Sequence, residues 1–385
     1  MQFPFKHSAT QTTIFSVMSA LAQEHQAINL SQGFPDFPID PLLGELLNEA
    51  VSNHFNQYAP MHGLLMLREA IAKDRKKRYK VAVNPETEIT ITPGATYGIY
   101  TAFTAILQPG DEVIVLEPAY DSYIPNIEMN GAKAIGISLI APDFHVDWNK
   151  IRDAISTRTK AIIINTPHNP TGSVWTSNDW NQLAEIVRNT DIIIISDEVY
   201  EQIIFDGRIH FSILQHPELR QRSFAVYSFG KVCNNTGWKM GYVIAPPELT
   251  KVFRHIHQYL AFSVNTPAQY ALSHYINKEQ LPSVSDLMEQ KRNFFLDLIK
   301  DLPFTVYHPA AGSYFQLVGY EKISSQPDLE FSRWLTATCK VATIPVSPFY
   351  QNKTDHKLIR FCFAKKEETL YQAAKQLTLF LQKIS

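Results

Sequence analysis

Four consecutive isoleucines, at positions 192–195, form the most apolar of six short runs that recur along the middle of the chain. The runs alternate with polar, Gly or Pro residues and with longer segments of helical periodicity, which is the pattern of β-α-β units. A strand without polar alternation is covered on both faces, as in a parallel sheet. The sequence therefore predicts an α/β fold with helices on both faces of a mostly parallel sheet. The predicted strands are 88–91, 113–116, 161–164, 192–195, 224–227 and 242–245.

A second pattern begins after about residue 275, where helical segments alternate with short apolar strands. The helical segments are 281–300, 329–339 and 367–383, and the strands include 314–318 and 358–363. Residues 1 to about 45 carry too little apolar surface to fold alone, so we expect them to pack against this C-terminal part. The predicted organisation is a large domain, 46–275, and a smaller α+β lobe built from both chain ends, 1–45 and 276–385.

The charge balance and the cysteines exclude several classes of protein. Lys and Arg number 35 against 37 Asp and Glu, a net charge of −2, whereas nucleic-acid-binding proteins carry a basic excess. The 3 cysteines form no C-x-x-C, which indicates neither a disulfide framework nor a zinc site and fits a reducing cytoplasm. No run approaches the roughly 20 apolar residues of a membrane span. We expect a cytoplasmic protein without a metal, nucleic-acid or membrane partner.

One apolar run near the N-terminus, 14–22, ends in Ala-Leu-Ala and so resembles the core and cleavage site of a secretory signal. Two serines interrupt the run, and its apolar members recur at helical spacing. An amphipathic helix is therefore the simpler interpretation.

Polar residues gather where the predicted strands end, and ligands bind at the carboxyl ends of strands in open α/β sheets. After the first strand, Thr92-Pro-Gly-Ala-Thr96 leads into a helical pattern at 97–107, and the free N–H groups of a helix N-terminus can hold a phosphate. The chain contains neither G-x-G-x-x-G nor G-x-x-x-x-G-K-[ST], so the fingerprints of dinucleotide and P-loop binding are absent. The residues that converge on this edge are Asn169, Asp197, Tyr200, Lys231 and Lys239.

Two charged residues stand where the pattern favours apolar ones. Asp197 lies two residues after the isoleucine run and is predicted to be buried, and a buried carboxylate needs a cationic partner or strong hydrogen bonds. Arg360 lies inside the apolar strand 358–363, where an inward guanidinium needs an anion such as an α-carboxylate. An isolated Asp at a strand end is more often a helix cap, and an isolated Lys is more often solvated. The site is favoured because the residues that converge on this edge, Asp197 among them, all lie at strand ends on the ligand side.

Three segments of this edge resemble the class I and II pyridoxal-phosphate aminotransferases of fold type I. They are 228–242, which begins Ser228-Phe-Gly-Lys231, 165–172, which reads Asn-Thr-Pro-His-Asn-Pro-Thr-Gly, and Asp197-Glu-Val-Tyr200. The opening Ser31-Gln-Gly-Phe-Pro-Asp-Phe-Pro38 is similar to the branch that contains kynurenine, glutamine and bacterial methionine aminotransferases. The resemblance runs from about residue 10 to the C-terminus, with the motifs in the same order.

The resemblance implies pyridoxal 5′-phosphate as the cofactor and a role for each motif residue. Lys231 would bind the cofactor covalently and later move a proton between the substrate Cα and the cofactor. Asp197 would pair with the pyridine nitrogen. Asn169 and Tyr200 would hydrogen-bond the phenolic oxygen. The phosphate would be held by the backbone of Gly94, Ala95 and Thr96, the Ser228 hydroxyl and Lys239, with Tyr120 stacked on the cofactor ring.

The family also places residues around the substrate. Arg360 would bind the α-carboxylate with Asn169 beside it, and Gly33 would contact the substrate through its backbone. Aromatic rings lie in the segments that line the pocket in relatives, and such a pocket favours large neutral amino acids. These rings are Phe15, Tyr120 and Phe262.

Tyr58, in Asn56-Gln-Tyr58, matches a tyrosine that relatives contribute across a dimer interface to the partner's cofactor phosphate. The resemblance therefore implies a homodimer whose sites are incomplete in a single chain. A local surface tyrosine is the alternative interpretation.

The implied reaction is a ping-pong transfer of the amino group of methionine, an aromatic amino acid, glutamine or kynurenine to a 2-oxo acid. A cysteine-S-conjugate β-lyase is an alternative, because β-elimination starts from the same carbanion. A regulator that senses pyridoxal phosphate behind a DNA-binding helix-turn-helix is a third interpretation. It is disfavoured because only about 30 residues precede the Gly33 motif, without a basic recognition helix.

Overall fold

Helices and strands alternate along the chain in the computed structural model, which describes residues 12–279 and 281–381. The helices are α1 (Ile14–Glu24), α2 (Pro41–Ser52), α3 (Leu65–Tyr79), α4 (Ala95–Ile106), α5 (Tyr123–Met129), α6 (Trp148–Ala154), α7 (Ser177–Val187), α8 (Pro217–Arg220), α9 (Phe229–Val232), α10 (Pro247–Leu260), α11 (Thr266–Tyr275), α12 (Val284–Ile299), α13 (Asp328–Thr338) and α14 (Glu367–Leu381). The strands are β1 (Ile28–Asn29), β2 (Ile89–Thr92), β3 (Glu112–Glu117), β4 (Lys133–Ser138), β5 (Thr159–Asn165), β6 (Ile193–Asp197), β7 (Ser223–Ser228), β8 (Gly241–Ile244), β9 (Phe315–Gly319), β10 (Val341–Ala342), β11 (Ile344–Pro345) and β12 (Leu358–Cys362).

A seven-stranded sheet in the order β2-β8-β7-β6-β5-β3-β4 forms the centre of the molecule. All of its neighbouring strands are parallel except β8, which runs antiparallel to both β2 and β7. The reversal of β8 brings its first residue, Gly241, opposite the last residues of its two neighbours, Thr92 and Ser228. Segments far apart in the chain therefore meet at the end of the sheet where β2 and β7 finish.

The apolar runs form strands that are covered on both faces, as the sequence predicted. Along β5 and β6, Ile162 and Ile194 point into one core, whereas Ile163 and Ile195 point into the other. Each side of the sheet therefore has its own layer of helices, and consecutive isoleucines pack against the two layers in alternation. The prediction of an α/β fold with a mostly parallel sheet is confirmed.

The C-terminal part contains a separate antiparallel sheet in the order β11-β12-β9, packed on its own apolar core. The N-terminal segment joins it, because β1 pairs in parallel with β10 through Ile28 and Val341. The domain limits 45/46 and 275/276 stay a prediction. The first of them falls inside α2, which packs on α11 through the Tyr270 hydroxyl and the Glu49 carboxylate.

The helices expected at both ends of the chain are present in the structure. The run 14–22 lies in α1, which buries Met18 and Ala22. The segments 281–300 and 329–339 correspond to α12 and α13, and α14 covers 367–381. The predicted end of that last helix, Lys383, lies outside the described residues. Within 12–279 and 281–381, no helix combines the length and the apolar character needed to cross a bilayer.

Candidate active site

A cavity of about 210 Å³ lies where the carboxyl ends of β2, β5, β6 and β7 face the antiparallel sheet. The structure brings thirteen of the fifteen residues predicted for the site and its pocket to its walls. They are Phe15, Gly33, Gly94, Ala95, Thr96, Tyr120, Asn169, Asp197, Tyr200, Ser228, Lys231, Lys239 and Arg360. Tyr58 and Phe262 are the exceptions.

Lys231 lies on α9, the single turn of helix that follows β7. Its Nζ donates hydrogen bonds to the Tyr314 hydroxyl at 2.8 Å and to the Gly33 carbonyl at 3.2 Å. Lys231 is partly buried and lines the cavity. Because the surrounding protein replaces water, burial lowers the pKa of the Lys231 amine to about 8. At slightly alkaline pH the amine is therefore largely neutral and able to act as a nucleophile or a base.

Asp197 is the last residue of β6, so the strand aims its carboxylate at the cavity. Burial raises its pKa to about 6, and two hydrogen bonds oppose that rise. The Tyr123 hydroxyl donates one of them at 2.5 Å, and the Val199 backbone N–H donates the other at 3.3 Å. A buried carboxylate with this pKa favours a cationic partner within the cavity.

The N-terminus of α4 forms a concave, positively polarised wall of the cavity. Gly94 precedes it with φ of +85°, a conformation that requires glycine, and no side chain caps the helix. The first N–H groups of α4 are therefore free to bind an anion. A Cβ at Gly94 would lie 3.5 Å from the Lys239 Nζ, and a Cβ at Gly241 would lie 2.9 Å from the Ala95 nitrogen. Lys239 therefore lies beside the N-terminus of α4. The space next to them stays open because both neighbouring residues are glycines without a Cβ.

Arg360 is fully buried on β12, at the opposite wall of the cavity. Its Nη1 donates to the Asn169 Oδ1 at 2.7 Å, and its Nη2 donates to the Ser31 carbonyl at 2.8 Å. The guanidinium stacks 3.9 Å from the ring centre of Phe315, and burial lowers its pKa to about 10. Its Nε has no hydrogen-bond partner, so this buried cation keeps an unused donor.

The family of the chain follows from comparison with known proteins. The aminotransferase class I and II family matches residues 25–377. The chain belongs to the class I and II aminotransferases. It is 47% identical over 368 residues to the methionine aminotransferase of Escherichia coli (strain K12), with 95% of each chain covered. Members of this family typically use pyridoxal phosphate.

Two further comparisons support the same family. The aminotransferase is 32% identical to kynurenine–oxoglutarate transaminase 1 of Homo sapiens, with 93% of each chain covered. A solved structure of an Escherichia coli protein, identified as having a methionine aminotransferase function, matches with a TM-score of 0.95 at 45% identity. That match covers 99% of this chain and 100% of the other.

Aromatic side chains form the remaining walls of the aminotransferase cavity. Tyr120 lies next to Phe15, with ring centres 6.4 Å apart, and Tyr200 packs edge-on against Tyr314 at 5.1 Å. Burial raises the pKa of Tyr120 to about 12 and that of Tyr200 further, so both hydroxyls stay protonated at neutral pH. Both side chains therefore offer hydrogen-bond donors to the cavity.

Two residues expected near the site lie on the outer surface of the aminotransferase. Tyr58 is 81% exposed and Phe262 is 58% exposed, and their rings meet edge-on with centres 5.5 Å apart. Neither lines the cavity of its own chain. They form one exposed aromatic pair, which we call the Tyr58–Phe262 patch.

Sequence reasoning missed two tyrosines that touch the central side chains of the aminotransferase. Tyr123 binds Asp197, and Tyr314 binds Lys231. Tyr123 lies three residues after Tyr120, a predicted site residue, and this closeness in the sequence was the available signal. Tyr314 begins a predicted apolar strand, and nothing in its neighbourhood in the sequence points to a lysine 83 residues away.

Proposed function

We propose that this aminotransferase carries pyridoxal 5′-phosphate on Lys231. We propose further that it transfers the amino group of a large neutral amino acid to a 2-oxo acid by a ping-pong mechanism. The observation that carries the proposal is the arrangement around one cavity. A lysine amine with a lowered pKa faces the same space as a buried carboxylate, an uncapped helix N-terminus and a buried arginine.

The donor set fits the cofactor group by group. The free N–H groups of α4, together with Ser228 and Lys239, suit a phosphate. The carboxylate of Asp197 suits a protonated pyridine nitrogen, which would supply the cation that this buried group favours. Tyr200 and Asn169 would bind the phenolic oxygen, and Tyr120 would cover a face of the ring. The bound cofactor supplies an electron-accepting ring that stabilises negative charge at the substrate Cα.

Residues of the chain itself would bind the substrate and transfer the proton. Arg360 would bind the substrate α-carboxylate through its guanidinium and so orient Cα toward Lys231. The Lys231 amine, with its pKa near 8, is matched to accept a proton at Cα and return it elsewhere on the substrate–cofactor pair. Asp197, held by Tyr123, would keep the pyridine nitrogen protonated.

The donor amino acid follows from the rings at the cavity and from the relatives. Phe15 and Tyr120 offer apolar faces that suit a thioether or an aromatic side chain. Because discrimination between such side chains amounts to about 1–3 kcal/mol per methylene, we expect a broad range of donors. The 47% identity to a methionine aminotransferase favours methionine among them.

We also propose that two copies of the chain form a homodimer that covers the Tyr58–Phe262 patch. Two large aromatic side chains side by side on the surface are unusual for a monomer and typical of an interface. Tyr58 of one copy would then reach the cofactor phosphate of the other. A cytoplasmic location is proposed as well, since Cys233, Cys339 and Cys362 are all free thiols.

Absorbance spectroscopy tests the assignment directly. Wild-type protein purified with pyridoxal phosphate should show a visible band that changes on addition of an amino acid, and Lys231→Ala should lose it. The matched control Lys375→Ala, an exposed lysine on α14, should keep the band. A colourless wild type whose spectrum ignores added pyridoxal phosphate would overturn the proposal.

A panel of donors in single half-reactions tests the substrate class. Methionine, phenylalanine, tyrosine, tryptophan, glutamine and kynurenine should each react faster than aspartate. A faster reaction with aspartate would refute the neutral-donor assignment. Release of a thiol from a cysteine S-conjugate in the same assay would show that β-elimination competes with transfer.

A further inference from the structure

The amine of Lys231 belongs to a closed triangle of hydrogen bonds with Tyr314 and Gly33. Nζ donates to the Tyr314 Oη at 2.8 Å and to the Gly33 carbonyl oxygen at 3.2 Å. The Tyr314 hydroxyl donates its only proton to the same carbonyl at 2.7 Å. The Tyr314 oxygen therefore accepts from Lys231 and cannot donate to it.

These hydrogen bonds fix the direction of the amine lone pair. A neutral amine on a lysine side chain has two N–H bonds and one lone pair around a tetrahedral nitrogen. Both N–H bonds are used, one by Tyr314 and one by Gly33. The lone pair points away from both acceptors, and Lys231 lines the cavity.

The two acceptors are themselves held in place. The Tyr314 ring is fully buried, and it packs edge-on against Tyr200 at 5.1 Å and Phe315 at 5.0 Å. A Cβ at Gly33 would approach the Phe315 ring to 2.7 Å, so the backbone at Gly33 lies directly on that ring. The Lys365 Nζ donates to the carbonyl of Phe34, the residue after Gly33, at 2.8 Å and so holds the same loop. These contacts hold both acceptors of the Lys231 amine in place.

We propose that Tyr314 is a positioning residue which, with the Gly33 carbonyl, aims the lone pair of the Lys231 amine into the cavity for proton transfer at the substrate Cα. In that step the Cα–H bond breaks and the proton forms a new N–H bond on Nζ. The electron pair of the broken bond stays with the substrate–cofactor pair, and Lys231 then returns the proton there. The inference rests on the proposed role of Lys231.

The charged and titratable groups around the amine come from several elements, and they have opposing effects on the pKa of Lys231. Arg360 and Lys239 lower the pKa of Lys231 in addition to the effect of burial, whereas Cys362 and Asp197 raise it. Tyr314 adds an acceptor, and an acceptor stabilises an ammonium more than a neutral amine. Removing the hydroxyl should therefore lower the pKa of Lys231.

The test compares Tyr314→Phe with a matched control, Tyr320→Phe. Tyr320 is also fully buried in the C-terminal part, and its hydroxyl donates to the Gln326 carbonyl at 2.8 Å, away from the cavity. The first readout is the rate at which the cofactor-free protein combines with pyridoxal phosphate as a function of pH. The second is kcat and KM for methionine and for methionine deuterated at Cα.

We expect the midpoint of the pH profile, near 8 in the wild type, to fall by about half a unit or more in Tyr314→Phe. We also expect kcat to fall by about tenfold or more, with KM changed less than twofold and a larger deuterium isotope effect. Tyr320→Phe should match the wild type in the midpoint, kcat, KM and the isotope effect. A Tyr314→Phe variant with the wild-type midpoint and isotope effect, whatever its kcat, would overturn the inference.

The outcomes also separate this inference from the proposed function. If Lys231→Ala keeps the visible band of the wild type, the proposed function itself fails. If that band disappears in Lys231→Ala while Tyr314→Phe behaves as the wild type, only the role of Tyr314 fails.

Discussion

The Tyr123 hydroxyl donates a 2.5 Å hydrogen bond to the Asp197 carboxylate, and it links the first residue of α5 to the last residue of β6. Both side chains are buried, so the bond is shielded from water. Burial raises the pKa of Asp197 to about 6, and the Tyr123 hydroxyl limits that rise by stabilising the charged form. Tyr123 therefore favours an ionised Asp197 at neutral pH.

Replacing Tyr123 by Phe should weaken cofactor binding. Asp197 would lose its donor, its pKa would rise toward neutrality, and a smaller fraction would carry the charge proposed to pair with the pyridine nitrogen. A hydrogen bond to a charged group contributes about 1.5–3 kcal/mol, so we expect the Kd for pyridoxal phosphate to rise by about tenfold or more. Fluorescence titration of the cofactor-free protein at pH 7 measures this Kd. An unchanged Kd would contradict the role.

Replacing Arg360 by Ala should discriminate between substrates with and without a carboxylate. Two hydrogen bonds between charged groups would be lost, so we expect kcat/KM for methionine to fall by about 100-fold or more. The corresponding amine without the carboxylate should be affected far less. Arg360→Lys should lie in between, because lysine keeps the charge but not the planar fork. Equal losses for the amino acid and the amine would refute the carboxylate role.

Mixing two inactive variants tests the shared site. If Tyr58 serves the partner's cofactor, a hybrid of Tyr58→Ala with Lys231→Ala has one site with both defects and one site with neither. Unfolding and refolding the two variants together should therefore restore activity toward about a quarter of the wild-type value, since half of the dimers are hybrids with one intact site. Each variant refolded alone is the control. Activity no higher than the average of the two controls would place Tyr58 outside the partner's site.

A buried ion pair beneath the sheet should contribute strongly to stability. Arg75 on α3 donates to both carboxylate oxygens of Glu201, at 2.5 and 2.8 Å, and both side chains are buried. Arg75→Met leaves the Glu201 charge without its main partner, so we expect the free energy of unfolding at pH 7 to fall by about 3–5 kcal/mol. Urea unfolding measures this change. The double variant Arg75→Met with Glu201→Met should lose less free energy of unfolding than Arg75→Met alone. An equal loss in the two variants would contradict the explanation.

The same pair predicts the direction of the pH dependence. Burial alone would raise the pKa of Glu201, but the Arg75 guanidinium brings it down to about 2, below the ordinary 4.5. The stabilisation is therefore present above pH 4.5 and is lost as the pH falls toward 2. The difference between wild type and Arg75→Met should narrow from pH 5 to pH 3, and a difference that grows in acid would refute this origin.

The fold was predictable where the apolar pattern was unbroken. The strands β5 and β6 bury isoleucines on both faces, and such runs have few alternatives to a central strand. The edge strand β4 was missed because only Ala134 and Ile137 are buried along it, and Lys133 and Gly136 interrupt its apolar character. Ile137 packs into one core and Ala134 into the other, so neither face of the strand shows a continuous apolar pattern.

The site was predictable to the extent that it lies in contiguous motifs. Asp197 ends β6 and Lys231 lies three residues after the end of β7, so the topology of the sheet brings them together. The partners of these residues were not predictable, since Tyr123 lies 74 residues from Asp197 and Tyr314 lies 83 residues from Lys231. Such contacts depend on how separate elements pack and which rotamers they leave open, and neither periodicity nor motif spacing describes that.

The hydrogen bond from Arg360 to the Ser31 carbonyl joins residues 329 positions apart. A ribosome makes Lys231 about 130 residues before Arg360, which at about 5–20 residues per second is an interval of roughly 6–26 s. During that interval the strand that carries Arg360 does not yet exist. A growing chain therefore contains the lysine of the cavity well before the buried arginine that lines the same space, so the cavity cannot be complete while the residues between them are being made.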